Sequence, residues 1–134
     1  AMNAVFLDTV GLLALWDVAD QWHTAAEAAF SRIVTQRQSL ATTTFVLLEC
    51  GNAAARRPYR GEVVRLRELL SARNELWLPN EDDISQAWLA YDQGQAGDAG
   101  IVDHVSFAVM RRLGIQQVFT NDRHFEAAGF EILF

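Results

Sequence analysis

The run Ala4-Val5-Phe6-Leu7-Asp8 predicts a buried β-strand that ends at a carboxylate. Four consecutive apolar residues are typical of a strand with both faces covered, as in a parallel sheet. A carboxylate is costly to bury unless it is paired or binds a metal ion. Asp8 could simply cap the helix predicted from Val10 to Trp16, but the wholly apolar strand before it favours a metal-ligating role.

Three further acids interrupt apolar segments. Glu49 follows Thr44-Phe45-Val46-Leu47-Leu48, Asp103 opens a helix in which most side chains are apolar, and Asp122 closes Val118-Phe119-Thr120-Asn121. Carboxylates are rarely buried without a partner. Breaks of this kind in four core segments predict one shared purpose, which is to hold a divalent cation.

The sequence supports two interpretations of Glu49. Glutamate is a good helix former, so Glu49 could be a surface residue of the helix predicted to run to about Ala55. The four apolar residues before it leave little room for a polar face, however, and therefore favour a site role. Asn52, three residues further along the helix, is predicted to orient the Glu49 carboxylate.

Asp103 competes with Asp98, since either could precede the same helix. Asp98 lies in the glycine-rich segment 93–100, where we expect it to be solvated or to cap, so we favour Asp103. Asp122 could cap the turn that follows it, but its place after an apolar strand favours the site. Polar side chains close to the acids are predicted to orient them or to contact substrate: Thr9, Asn52, Ser106, Thr120 and Asn121.

Strand and helix patterns alternate along the chain. The predicted strands are Asn3 to Asp8, Ser39 to Thr42, Leu76 to Leu78, Gln117 to Thr120 and Phe130 to Phe134. Between them, helices are predicted over Val10 to Trp16, Trp22 to Gln36, Thr44 to Ala55, Glu62 to Ala72, Glu81 to Tyr91, Ile101 to Leu113 and Arg123 to Ala127. This alternation predicts an α/β fold whose central, mainly parallel sheet carries helices on both faces. Strand carboxyl ends share one edge of such a sheet, so the acids are expected to converge there.

The bulk composition predicts one globular domain over residues 1–134. Hydrophobic residues make up 51% of the 134 residues, which is enough for a substantial core. No apolar run approaches the roughly 20 residues of a membrane helix, and no basic segment precedes the first apolar run, so we expect neither a membrane span nor a signal peptide. Cys50 is the single cysteine, consistent with a reducing cytoplasm. Ala1 before Met2 is interpreted as a cloning remnant.

The positive charge is confined to arginine and is unevenly distributed. All 11 Lys and Arg residues are Arg, although the formal net charge is −6. Six lie in what we call the arginine segment, residues 56–73, which either grips a phosphate backbone or forms a solvated helical face. The lack of lysine excludes a P-loop, Schiff-base chemistry and a response-regulator receiver site.

The predicted ligand chemistry is oxygen-only. Carboxylates favour Mg²⁺ or Mn²⁺ over zinc, and such ions support phosphodiester hydrolysis by polarising the phosphate and activating water. The three histidines, His23, His104 and His124, show no paired metal-binding spacing, and we expect each to be packed or exposed.

Four segments resemble the PIN-domain ribonucleases, and in particular the VapC-type toxins of toxin–antitoxin pairs. They are VFLDT (5–9), LLECGN (47–52), VDHVSFAVMRRLGI (102–115) and FTNDRHFEAAGFEIL (119–133). The resemblance implies a three-layer α/β/α fold and a Mg²⁺- or Mn²⁺-dependent RNase whose acidic set is Asp8, Glu49, Asp103 and Asp122. It also implies a homodimer, inhibited by a small antitoxin whose tail occupies the active-site groove. Val102 departs from the pattern, since such proteins often have Ser or Thr there.

The leading hypothesis is therefore an endoribonuclease toxin. RNA would be steadied by Arg56, Arg57 and Arg60, with Arg112 or Arg123 nearer the cleft. The alternative is a PIN-like module that acts through protein contacts. A phosphatase of the haloacid-dehalogenase type is disfavoured, because that pattern needs a second Asp at the position of Val10.

Overall fold

The computed structural model describes residues 3–134, in which we number strands and helices in chain order. The strands are β1 (Ala4–Leu7), β2 (Ser39–Thr43), β3 (Leu76–Trp77), β4 (Gln117–Phe119) and β5 (Glu131–Ile132). The helices are α1 (Thr9–Trp16), α2 (His23–Thr35), α3 (Thr44–Ala54), α4 (Arg60–Ala72), α5 (Glu81–Asp92), α6 (Ile101–Leu113) and α7 (Arg123–Ala127). The interpretation of Ala1 and Met2 lies outside the described residues, and a single domain over 1–134 stays a prediction.

The five strands form one sheet in the order β3-β2-β1-β4-β5, and every neighbouring pair is parallel. Helix α1 contacts α2 and α3, and α3 contacts α4, whereas α6 contacts α5 and α7. Right-handed crossovers place the first group on one face of the sheet and the second on the other, because the chain reverses its direction across the sheet after β3. The predicted α/β/α architecture is thus confirmed, and the sheet is parallel throughout the described residues.

The core lies on both sides of the central strand. All four residues of β1 are buried, as expected for a strand covered on both faces. Aromatic side chains fill the layer between the sheet and the second group of helices, where Phe107 packs edge-to-face against Phe125 at 4.9 Å between ring centroids. This packing holds α6 and α7 at fixed positions relative to β1 and β4.

The strand order reverses between β1 and β4, and the chain is very close-packed at that point. Gly11, in the first turn of α1, lies so near β4 that an added Cβ would come 2.0 Å from the Phe119 carbonyl oxygen. Only glycine fits there. The Asp8 N–H also donates to the Phe119 carbonyl at 3.4 Å, so the residues that follow β1 lie directly beside the end of β4.

The structure differs from the sequence-based expectations on two helix faces. The amphipathic pattern of the helix predicted over Trp22 to Gln36 puts Trp22 on its inner face, but Trp22 precedes α2 and is 45% exposed. Leu48, thought to close off any polar face of α3, is 66% exposed, and Phe45 is only partly buried. Helix α3 packs on one side and leaves the other open, so hydrophobicity alone did not reveal which side is covered.

No helix within residues 3–134 is both long enough and apolar enough to cross a bilayer.

Candidate active site

Asp8 is a buried carboxylate held by a neighbouring strand. It lies at the carboxyl end of β1, is only 2% exposed, and its side chain makes no capping bond to α1. Instead, its Oδ2 accepts a hydrogen bond of 2.8 Å from the hydroxyl of Thr120, which follows β4. The Thr120 hydroxyl in turn accepts from the Asp122 N–H at 3.1 Å. The ends of β1 and β4 are therefore joined through this one hydroxyl group.

Asp103 and Asp122 form a group of potential metal ligands together with His124. One ligand atom from each of the three side chains lies within 4.8 Å of the others. Asp103 comes from the first turn of α6, and Asp122 is the N-cap of α7, where its Oδ1 accepts from the His124 N–H at 2.9 Å. Capping is thus one of the functions of Asp122, but its carboxylate also faces the Asp103 carboxylate.

Glu49 reaches the same region from α3. Its Oε1 accepts a hydrogen bond of 2.7 Å from the hydroxyl of Thr9, the residue that follows Asp8. Within residues 3–134, Asn52 makes no hydrogen bond to Glu49 and is exposed, so the prediction that Asn52 orients this carboxylate is wrong. Thr9 does so instead, because it begins α1 directly opposite the middle of α3.

The electrostatics of these residues reflect burial and crowding. Burial, followed by the charge of Asp103, raises the pKa of Asp8 from 3.8 to about 7. Burial, with the charges of Asp122 and Glu49, raises the pKa of Asp103 from 3.8 to about 6. Both raised pKa values indicate that the surrounding groups do not fully compensate the negative charge of these two carboxylates. We call Asp8, Glu49, Asp103 and Asp122 the acidic centre.

The acidic centre fits a hard divalent cation. Its donors are all carboxylate oxygens, which Mg²⁺ and Mn²⁺ prefer, and no arginine among the described residues pairs with any of them. A cation placed there would offset the burial of charge and the repulsion that together raise the pKa values of Asp8 and Asp103. Burial, followed by the charges of Asp8 and Glu49, raises the pKa of the Cys50 thiol to about 12, so Cys50 is a core residue and not a nucleophile.

The other polar residues predicted to orient the acids or to contact substrate differ in burial and in their hydrogen bonds. The Thr120 hydroxyl donates to Asp8 and accepts from the Asp122 N–H, and Thr120 is fully buried, so it supports the acids and is not exposed to substrate. Ser106 is 1% exposed and its hydroxyl has no partner among the described residues. Asn121 is half-buried beside Asp122.

The arginines differ in their availability. Arg56 and Arg57 are exposed just after α3 and form no ion pair within residues 3–134, and Arg60 donates to the Ala55 carbonyl at 3.3 Å. Arg123 is exposed beside Asp122 and pairs with Glu126 at 3.2 Å. All four side chains are exposed and therefore accessible to a ligand.

Arg112 does not lie where we expected it. It is nine residues beyond Asp103, roughly 13 Å further along α6 at the usual helical rise. Its guanidinium donates twice to Asp83, at 3.0 and 2.8 Å, and lies over the Trp77 ring. The pairing holds the pKa of Asp83 below its ordinary value, and Arg112 thus stabilises the packing of α5 on α6.

The role of His124 was not predicted from the sequence. Its Nδ1 lies 2.8 Å from Asp122 Oδ1 and its Nε2 lies 2.6 Å from Asp98 Oδ1. The bond to Asp98, ahead of smaller effects from Asp122, raises the pKa of His124. The available signal was the Asp122-x-His124 spacing at a helix start, but Asp98 lies 26 residues away in a loop and no periodicity links it to His124.

Comparisons with known proteins agree with this arrangement. The PIN domain family matches residues 5–131. The 23S rRNA-specific endonuclease VapC20 of Mycobacterium tuberculosis is 30% identical over 131 residues, covering 94% of this chain and 95% of the relative. The crystal structure of VapC20, described as a Sarcin-Ricin loop cleaving toxin, superposes with a TM-score of 0.76 at 28% identity, covering 94% of this chain and 95% of that one. FitAcB from Neisseria gonorrhoeae shares the fold, with a TM-score of 0.65 at 15% identity over 97% of this chain and 96% of that one.

Proposed function

This chain belongs to the PIN domain family, and from that premise we propose that it is a divalent-metal-dependent endoribonuclease, the toxin of a toxin–antitoxin pair. The observation that carries the proposal is the meeting of Asp8, Asp103 and Asp122. They come from three distant elements, and the charges of Asp103 and Asp122 both act on Asp8. A protein-binding module has no need of such costly buried charge.

Each acid has a distinct role in the proposal. Asp103 and Asp122 hold the cation between α6 and α7, with Asp8 behind them at the end of β1. A bound Mg²⁺ or Mn²⁺ would polarise the scissile phosphate and lower the pKa of a bound water. Because Thr9 occupies only Oε1 of Glu49, the second oxygen of that carboxylate is available to orient the attacking water.

RNA is positioned by the exposed arginines at the border of the acidic centre. Glu49 and Arg56 are seven positions apart along helix and turn, roughly 11 Å at helical rise, which a short stretch of RNA spans. Arg56, Arg57 and Arg60 would contact phosphates on this side and Arg123 on the other, beside Asp122. The bound RNA backbone would then cross the acidic centre between them.

The partners and the compartment follow from the same assignment. The relatives at 30% identity are 23S rRNA-specific endonucleases, so we propose ribosomal RNA as the first substrate to test. We also propose a homodimer, a cognate antitoxin whose tail enters the acidic groove, and a cytoplasmic location. Support for the last is the free, buried Cys50, which needs no oxidising compartment.

The test is cleavage of labelled RNA with Mn²⁺ or Mg²⁺ by the unaltered protein and by Asp8→Asn. Asparagine keeps the size of the side chain and can still accept from Thr120, but it lacks the charge. The substrates are 23S rRNA, an isolated sarcin–ricin loop and an unstructured RNA. We expect the unaltered protein to leave 3′-hydroxyl and 5′-phosphate ends, and Asp8→Asn to be inactive.

The matched control is Asp92→Asn, an equivalent change at an exposed aspartate at the end of α5. It should cleave at the unaltered rate. Equal cleavage by Asp8→Asn and the unaltered protein would contradict the proposal. If neither cleaves, and calorimetry detects no uptake of Mn²⁺, the protein-binding module becomes the better assignment.

A further inference from the structure

One oxygen of the Asp122 carboxylate is already occupied. Oδ1 accepts both the His124 backbone N–H at 2.9 Å and the contact from His124 Nδ1 at 2.8 Å. Within residues 3–134, no hydrogen bond reaches Oδ2. The carboxylate is therefore fixed by one oxygen, and the other is left available for a cation shared with Asp103.

The His124 ring is itself fixed from its far side. Nε2 lies 2.6 Å from Oδ1 of Asp98, a residue of the segment between α5 and α6. The Asp98 side chain is 97% exposed, and an ion pair at so exposed a position contributes little to the stability of a fold. The effect of this contact is local, since it removes the rotational freedom of a ring that would otherwise be held only by Asp122.

We propose that Asp98 and His124 form a positioning pair, which orients the Asp122 carboxylate so that Oδ2 binds the divalent cation. The inference rests on the proposed function, because it needs a cation at the acidic centre. The arrangement is an outer layer in which a histidine and a carboxylate orient a ligand without touching the metal. Loss of such a layer costs about 10- to 100-fold in metal affinity.

Direct ligation by His124 is the competing geometry. Both ring nitrogens already lie at hydrogen-bonding distance from carboxylates, so ligation would require one contact to break. Imidazole nitrogen also discriminates between metals, because it suits Mn²⁺ better than Mg²⁺, whereas a positioning residue leaves the ligands all-oxygen. The two geometries therefore predict different results with the two metals.

The experiment is calorimetric titration of the full chain with MnCl₂ and with MgCl₂. The variants are His124→Ala, His124→Asn, His124→Gln and Asp98→Ala. An Asn side chain places its amide nitrogen near the position of Nδ1, whereas the Gln amide lies near that of Nε2. We expect His124→Ala and His124→Gln to lose about 10- to 100-fold in affinity for both metals, and His124→Asn to recover most of it. Asp98→Ala should lose less, about 3- to 10-fold.

The control is His23→Ala, which removes a histidine on α2 that contacts the Ala14 carbonyl, and it should bind both metals normally. If the unaltered protein binds neither metal, the proposed function fails. If it binds metal and His124→Ala binds equally well, only the positioning pair fails. A loss confined to Mn²⁺ would identify His124 as a ligand and overturn the inference. Should His124→Ala not fold, Asp98→Ala decides, because so exposed a side chain is not needed for folding.

Discussion

The acidic centre and the arginine segment carry opposite charges and are assembled in opposite ways. The acids come from four separate parts of the chain and approach one another only because the sheet is parallel and its order reverses between β1 and β4. The arginines follow one another along α4 and the turn before it, and they remain exposed. The acidic centre therefore depends on tertiary packing, and we expect it to control the rate of RNA cleavage. The arginine segment depends on local composition, and we expect it to control the affinity for RNA.

Replacing an acid should have the largest effect and should fall on the chemical step. Asp103→Asn removes one charged ligand from the acidic centre, and we expect the cleavage rate at saturating RNA to fall about 1,000-fold, a loss of roughly 4 kcal/mol in transition-state stabilisation. Affinity for RNA without metal should stay within twofold of normal. Single-turnover kinetics and filter binding measure the two quantities. An Asp103→Asn protein that binds RNA poorly but cleaves it at the normal rate would contradict the assignment of cleavage to the acidic centre and of binding to the arginine segment.

The burial of Asp8 should make stability depend on pH. Its folded pKa of about 7 exceeds the ordinary 3.8, so the folded state binds more protons and the free energy of unfolding falls as the pH rises from about 4 to 7. Asp8→Asn should remove about 4 kcal/mol of this cost at pH 7.5 without metal. We expect a higher melting temperature for Asp8→Asn, and a flatter dependence on pH, in thermal unfolding followed by circular dichroism.

Mn²⁺ should offset the same cost in the unaltered protein. We expect its melting temperature at neutral pH to rise with Mn²⁺, because the ion binds only the folded state, and to rise less in Asp103→Asn. Equal increases in both proteins would contradict the placement of the cation at the acidic centre.

The arginine segment should act on affinity and on its salt dependence. Arg56→Gln with Arg57→Gln should weaken RNA binding about 10-fold and make the slope of log K against log salt less negative by roughly 1.4, since each phosphate contact to single-stranded RNA contributes about 0.7. The cleavage rate at saturating RNA should not change. The matched pair is Arg32→Gln on α2 with Arg37→Gln just after that helix, both at exposed positions. An identical change of slope in this pair would mean that the positive charge acts without regard to position.

The smallest effect on RNA binding is expected from Arg112→Gln. Because Asp83 holds this guanidinium by two hydrogen bonds, its removal should leave the salt slope unchanged while lowering the melting temperature. Parallel titrations with RNA and thermal unfolding test both expectations. A reduced salt slope would return Arg112 to the RNA-binding surface.

Prediction from sequence worked best where one segment determines the outcome. Helix α6 has the predicted bounds of Ile101 and Leu113, because Gly114 takes the left-handed conformation that ends it. β1 was predicted from four consecutive apolar residues, which are typical of a strand covered on both faces, although a similar run, Phe45 to Leu48, lies in helix α3. Convergence of the acids was also predictable, since the carboxyl ends of parallel strands share an edge.

Other features depend on packing that no local pattern encodes. Exposure of Leu48 follows from the open side of α3, and Thr9, not Asn52, holds Glu49 because α1 begins opposite that helix. His124 looked like an isolated histidine because its partner, Asp98, lies in a loop whose shape comes from left-handed backbone at Gly94, Ala96 and Gly97. Arg112 looked like a cleft residue because no local pattern shows that Asp83, 29 residues earlier, holds its guanidinium.

The close approach of Gly11 to the Phe119 carbonyl packs the first turn of α1 directly against β4. Amide hydrogens around it, such as that of Leu12, which donates to the Asp8 carbonyl at 3.0 Å, would then be among the slowest to exchange with deuterated solvent. The exchange rates of these amides show whether β1 and β4 remain paired. They can be measured without RNA, metal ion or partner protein. An inactive variant that has lost only its chemistry can thereby be distinguished from one whose scaffold has come apart.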